Sequence, residues 1–284
     1  MSGSDLTALV ARAGPTEARY EDAYLPERPI ILHAARPMDF SPRTPILFVH
    51  HGDLRNGAEF RDFWLPLVDR FDVLAVVPEF SEAKFPGSSW YSLGNRSDAD
   101  GRNKPREQWT YGVPARIFTA LSDCGVTTRT GYGQFGHSSG AQFVHRSICL
   151  GFRDAVTAAV TANAGTYSMP DLNVRFPYGL DGIGIDGCAL RDLLGFPLAI
   201  FAGTADIDVA SPHFPRDEPA MRQGPTRFAR AHTYLATARQ AATQHGVHCA
   251  WSLTEVPGVG HEGDKMSAAA APHLAAVLHR SASR

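Results

Sequence analysis

Cysteine is scarce in this chain. Four occur in 284 residues, Cys124, Cys149, Cys188 and Cys249, with no C-x-x-C pair among them, and H-E-x-x-H is absent too. Neither a zinc knuckle nor a zincin-type centre can be built from such spacings, so no metal is expected. The four thiols are expected to be unpaired, as in a reducing compartment. A surplus of either charge is also missing: Lys and Arg number 27 against 29 Asp and Glu, for a net charge of −2. No basic stripe interleaves with aromatics, which argues against nucleic acid as a partner. The busiest polar stretch, GNRSDADGRNKPREQW from Gly94 to Trp109, mixes both signs and reads as a solvated loop. No apolar run reaches the length of a membrane span, and the first twenty residues carry neither the basic start nor the apolar centre of a signal peptide. The expectation is a soluble, cytoplasmic protein with no membrane partner. No internal repeat shows. With no periodic exposed apolar face either, dimerisation stays open.

What the chain does hold is alternation. Of its residues 44% are apolar, enough for one domain over 1–284 with a full core. PIILHAA (Pro29–Ala35), PILFVHHG (Pro45–Gly52), DVLAVVPEF (Asp72–Phe80), AVTAAVTANAG and FPLAIFAG (Phe196–Gly203) read as buried strands, and CAWSLTEVPG reads as the last strand. Between them lie helical spacings. AEFRDFWLPLVDRF has apolar residues at Phe60, Phe63, Trp64, Leu67, Val68 and Phe71, a helical spacing. VPARIFTALSDCG, GAQFVHRSICL and TRFARAHTYLATARQAATQHG follow, and a closing helix is expected to start at Pro272. Strands apolar on both faces, alternating with helices, specify an α/β fold with a mostly parallel sheet covered on both sides. Ligands bind such sheets in the loops at the carboxyl ends of the strands. Residues 1–28 read as an N-terminal extension. Two long irregular stretches, 166–190 and 207–224, leave that sheet edge as lid or substrate loops.

One pentapeptide stands out. Gly136-His137-Ser138-Ser139-Gly140 fits G-x-S-x-G, a strand turning abruptly into a helix with the serine at the apex. The pattern selects Ser138, while Ser139 begins the helix, where its N–H can face an anion. The preceding RTGYGQFGH is a poor strand, since Gly131 and Gly133 bring no side chains to pack. A serine nucleophile needs a base, and the base needs an orienting acid. His261, in the glycine-rich loop VPGVGHEGDKM, is the histidine placed between the final strand and the final helix. Asp206, in GTADID after the FPLAIFAG strand, is the acid preferred over Asp208. The order Ser…Asp…His is that of the α/β-hydrolase layout. The oxyanion donors are then the N–H of Ser139 and that of Asp53 in HHGDLRNG, with Leu54 as fallback. Arg55 would neutralise Asp53 or bind an acidic substrate. His137 reads as a packing neighbour. His50 and His51, adjacent on a strand, face opposite ways. Phe80, Trp90, Tyr91, Tyr167 and Phe214 are candidates for an aromatic pocket wall.

PILFVHHGDLRNGAEFRDFW, FGHSSGAQFVHR, AIFAGTADID and VPGVGHEGDKM together resemble the α/β-hydrolase superfamily, and within it the polyhydroxybutyrate-depolymerase and feruloyl-esterase-like branch. The resemblance spans about Ile30 to the C-terminus. It implies a cofactor-free serine hydrolase of carboxylic esters, with Ser138, Asp206 and His261 as triad and a small-molecule or oligomeric ester as substrate. An amidase or peptidase with the same triad, and a non-catalytic ligand-binding protein of the same fold, remain alternatives.

Overall fold

The computed structural model describes residues 5–280; the first and last four residues of the 1–284 span lie outside the described residues. Eight strands form one sheet in the order β1-β2-β4-β3-β5-β6-β7-β8. They are β1 (Gly14–Tyr20), β2 (Ile30–Arg36), β3 (Ile46–His50), β4 (Leu74–Glu79), β5 (Tyr132–His137), β6 (Val156–Ala162), β7 (Leu198–Gly203) and β8 (Ser252–Val256). The contacts β1–β2 and β2–β4 are antiparallel, and every other contact in the sheet is parallel.

The central strands β3 and β5 are buried along their whole length because both faces are covered. On β3, Ile46 and Phe48 enter one core while Leu47 and Val49 enter the other. Helices α1 (Gly57–Phe71) and α8 (Gly263–Arg280) seal one face through Phe60, Trp64, Met266 and Leu274. The opposite face is covered by α3 (Val113–Asp123), α4 (Ser139–Cys149) and α7 (Arg227–Gln244), with Ile117, Phe143 and Tyr234 in its core. All four cysteines are free.

Several elements depart from what the sequence predicts. Residues 1–28 are not an extension alone, since Gly14–Tyr20 pairs along β2 as the sheet's edge strand. Its mixed sequence GPTEARY buries only Thr16 and Tyr20, so no apolar run announces it. Helix α8 starts at Gly263, nine residues before Pro272, which stands inside it. Proline removes one helical hydrogen bond, and the alanines at 268–271 keep the remaining turns in place. The two long stretches are not wholly irregular. The first contains the start of α5 (Gly187–Gly195) and the second contains α6 (Glu218–Gln223), after a short α2 (Gly87–Trp90) earlier in the chain. The weak strand forms despite its glycines. Gly133 is packed so closely that an added Cβ would lie 3.0 Å from Leu47 and 3.1 Å from Leu278.

Candidate active site

The end of β5 turns into α4 at Ser138, whose backbone has φ 57° and ψ −117°. Positive φ is unfavourable for a side-chain-bearing residue and persists only where the surroundings enforce it. Here Ser138 N–H donates to Ala162 O at 3.0 Å, and its carbonyl receives Gln142 N–H at 3.1 Å. The flanking glycines permit the turn. A Cβ on Gly136 would sit 2.2 Å from Gly140 O, and one on Gly140 would sit 2.2 Å from His50 O. The first turn of α4 thus rests directly on the backbone at the end of β3. That contact carries Ser139 next to the Gly52–Asp53 loop.

Three loops meet at this point. Ser138 Oγ lies 2.9 Å from His261 Nε2, and His261 Nδ1 lies 2.8 Å from Asp206 Oδ2. Asp206 is buried, and its other oxygen is 3.4 Å from Arg227 Nη1 at the start of α7. The His261 side chain stays 30% exposed, open to a reactant. Asp208, the rival acid, caps Ala210 N–H on the surface instead. Asp53 and Ser139 flank Ser138, and neither backbone N–H donates to a backbone acceptor among the described residues. The Asp53 carboxylate is engaged elsewhere. It accepts from Ser139 Oγ at 3.3 Å and faces His213 Nδ1 at 3.3 Å.

Other residues of the site left little trace in the sequence. Asn163, at the end of β6 with φ 50°, ties two of the loops together. Its side-chain oxygen accepts Gly203 N–H and its NH₂ donates to Gly260 O, each at 2.8 Å. His51 braces the Asp53 loop. Its Nδ1–H donates to Gly52 O at 2.9 Å while Nε2 accepts Phe80 N–H at 3.1 Å. His145, inside α4, repeats the pattern, donating to Ala141 O and accepting Ser168 N–H. Burial pushes His50 and His51 down to about 3 and holds His137 and His145 well below the usual imidazole range. His137 packs its ring against those of His261 and Phe60, as its packing role required.

Two clefts open from Ser138, of about 240 and 260 Å³, and both reach Asp53 and His213. Leu54, Phe60 and Phe63 give the first an apolar wall. The second is polar, lined by Ser92, Gln142, Arg146, Thr166 and Tyr178. Residues 166–190 and 207–224 supply parts of these walls through Thr166, Tyr178, Ser211 and His213.

The expected aromatic wall is not there. None of Phe80, Trp90, Tyr91, Tyr167 and Phe214 lines either cleft. Phe80 and Tyr91 stack on Phe143 inside the core, and Tyr167 stacks on Tyr234. Phe214 is buried against Arg230, and Trp90 packs between Arg28 and Lys104. Arg55 neither neutralises Asp53 nor faces a cleft. Its guanidinium donates to Phe80 O and Gly87 O and pairs with Glu82.

No family model matches the chain, and no curated protein does. Solved structures do. A poly(3-hydroxybutyrate) depolymerase from Bordetella parapertussis is 38% identical, with a TM-score of 0.90 over 98% of this chain and 97% of its own. A poly(aspartic acid) hydrolase from Sphingomonas sp. KT-1 is 34% identical, with a TM-score of 0.89 over 93% of this chain and 99% of its own. An S-formylglutathione hydrolase from Agrobacterium tumefaciens shares the fold at 16% identity and a TM-score of 0.54, over 98% of this chain and 99% of its own.

Proposed function

Because the chain belongs to the α/β-hydrolase superfamily, we propose that it is a serine hydrolase that cleaves carboxylic esters through an acyl-enzyme intermediate. The observation that carries this reading is the unbroken hydrogen-bond relay from Ser138 through His261 to Asp206. His261 Nε2 takes the proton of Ser138 Oγ as that oxygen attacks the ester carbonyl. Asp206 holds the Nδ1–H tautomer and stabilises the imidazolium that forms. The N–H groups of Asp53 and Ser139 receive the developing oxyanion, a contact worth about 3 kcal/mol per donor in such sites. His261 then protonates the leaving alcohol. Water enters, gives its proton to His261 and attacks the acyl-enzyme; His261 then passes that proton to Ser138 Oγ as the bond to the acyl carbon breaks and the carboxylic acid leaves. No cofactor takes part in this sequence.

The two clefts suit the two arms of a substrate that meet at the scissile bond. Each is smaller than a typical ligand pocket, so each takes a short segment, as a small ester or one repeat of an oligoester presents. Residues 166–190 and 207–224 act as substrate loops in this reading, and the substrate class is of the polyester-depolymerase type. A second reading keeps the same triad and changes the bond to an amide. It is favoured by the 34% likeness to a protein described as a poly(aspartic acid) hydrolase. The chemistry differs at the leaving group, where an amine demands fuller protonation by His261.

The test is a matched panel of p-nitrophenyl esters and p-nitroanilides, together with labelling by a fluorophosphonate. Expected are ester turnover, a serine adduct on Ser138, and loss of both in Ser138→Ala with the denaturation midpoint retained. Faster anilide turnover favours the amide reading. A folded protein that takes no label is instead a binding protein of this fold, and the catalytic reading fails.

A further inference from the structure

Arg146 is buried without a counter-charge. The residue is 2% exposed, yet no carboxylate lies within ion-pair distance among the described residues. Its hydrogen bonds go to neutral acceptors: Ser92 O at 3.0 Å, Thr166 Oγ1 at 3.2 Å and Ser168 Oγ at 3.3 Å. A guanidinium carries five N–H donors, so about two stay unused. A buried cation without a partner is costly, and a protein retains one where a partner arrives later. Two other buried arginines have carboxylates, Arg227 with Asp206 and Arg55 with Glu82. Arg230 has none, but all three of its nitrogens are occupied by carbonyls, those of Gly165, Pro215 and Gly224.

Position supplies the second observation. Arg146 lines the polar cleft that opens from Ser138. Ser139, Gln142 and Arg146 fall on one face of α4 at i, i+3 and i+7. The nucleophile and Arg146 are therefore about 12 Å apart along the helix axis, and helical side chains lean back toward the N-terminus. Thr166, Tyr178 and Gln142 offer hydrogen bonds but no positive charge, and His213, which also lines the cleft, faces Asp53. Asp53, the acid that borders this cleft, is turned to Ser139 and His213. Arg230 grips Gly165 and Pro215, which also line it, and so fixes the cleft from behind with a second positive charge.

We propose that the polar cleft is a carboxylate subsite, in which the Arg146 guanidinium pairs with a carboxylate carried by the substrate several bonds from the scissile carbonyl. The assignment rests on the hydrolase reading and narrows its substrate class to anionic esters or oligomers. The fork of a guanidinium matches a carboxylate through two parallel N–H···O bonds, which a neutral methyl ester cannot return.

The experiment compares kcat/KM of the full chain on two matched pairs. For a carboxylate on the acyl side, the mono-p-nitrophenyl ester of glutaric acid is set against its methyl-capped form. For one on the leaving alcohol, the butyryl ester of 3-hydroxybutyric acid is set against the methyl ester of the same compound. The expected result is a preference of about tenfold or more for the anionic member of one pair, the scale of a hydrogen bond to a charged group. The responding pair tells whether the carboxylate is borne by the acyl portion or by the chain end of the alcohol. In Arg146→Gln that ratio falls toward one, and in Arg146→Lys, which keeps the charge without the fork, it lies between. A merely structural Arg146 lowers both members together and leaves the ratio intact, which overturns the proposal. So does a wild-type protein that takes a fluorophosphonate label and yet shows no anionic preference in either pair. Should the Gln variant not fold, the wild-type ratio and competitive inhibition by free glutarate, against none by its dimethyl ester, decide the matter. A protein with neither label nor turnover of any ester refutes the hydrolase reading itself, and the subsite with it.

Discussion

Acidification below neutral pH should destabilise this protein steeply. Four buried histidines are held neutral in the fold. His50 and His51 are pushed down to about 3, and His137 and His145 lie well below the ordinary imidazole value, in each case mainly by burial. Hydrogen bonding points the same way for two of them. His51 Nε2 accepts Phe80 N–H and His145 Nε2 accepts Ser168 N–H, so protonation would set one N–H against another. The unfolded chain protonates all four near pH 6.5. Below that pH the unfolded state binds more protons than the native state, so stability falls as pH falls. From pH 7 to 5.5 His50 and His51 each contribute a loss of about 1.3 kcal/mol, about 2.5 kcal/mol together, and His137 and His145 act in the same direction. The figure depends on the unfolded pKa alone once the folded values lie well under 5.

A loss of that size is a large fraction of the stability of a typical domain, about 5–15 kcal/mol. Urea midpoints at pH 7, 6.5, 6 and 5.5 measure it directly. His145→Gln removes one titrating group and should flatten the stability-versus-pH slope by about one proton, whatever it does to stability at pH 7. Stability that changes by less than about 1 kcal/mol across this range refutes the claim that these imidazoles are locked neutral.

Four substitutions probe the site and its frame. Asn163→Ala leaves Gly203 N–H and Gly260 O without their side-chain partners, and should cost about 2–4 kcal/mol in urea unfolding while lowering kcat more than it raises KM. Gly140→Ala places a methyl 2.2 Å from His50 O and 2.6 Å from His51 O; a loss of about 1–3 kcal/mol with a fall in turnover is expected, since β3 must move and take the Asp53 loop with it. Asp206→Asn should drop kcat by on the order of 10³–10⁴, and Asp208→Asn by less than about twofold, in the same p-nitrophenyl ester assay.

Chain order and local punctuation made the three central residues legible. Ser138 is flanked by Gly140, which the close approach of β3 demands, and by Gly136, which the backbone of α4 demands; Asp206 sits just past an unmistakable apolar strand and His261 in a glycine-rich loop after the last one. The direction of a side chain is another matter. Phe80, Tyr91, Tyr167 and Phe214 stand near the sheet-end loops, as their positions in the chain indicate, but all four turn inward, where Phe143, Tyr234 and Arg230 complete their packing. A large aromatic gains most from full burial, so nearness to a loop does not make it a wall. Arg55 departs from its expected place for a related reason. It stands at φ 59°, and its guanidinium finds three acceptors on the 80–87 segment, which no short motif encodes.

Arg146 is the instructive contrast. In the sequence it is one more polar residue in FVHRSICL, indistinguishable from a solvated helix position. Helical spacing from the elbow was the available signal, since residues three and seven positions after Ser139 share its face. What spacing cannot supply is the lack of an acid nearby, because carboxylates approach from anywhere in the chain. Asp22 reaches Arg116 across 94 residues, and Asp206 reaches Arg227 across 21. An unanswered charge is a property of the folded whole. It becomes visible only when every neighbour has been placed, and the unpaired guanidinium then stands within the cleft that begins at Ser138.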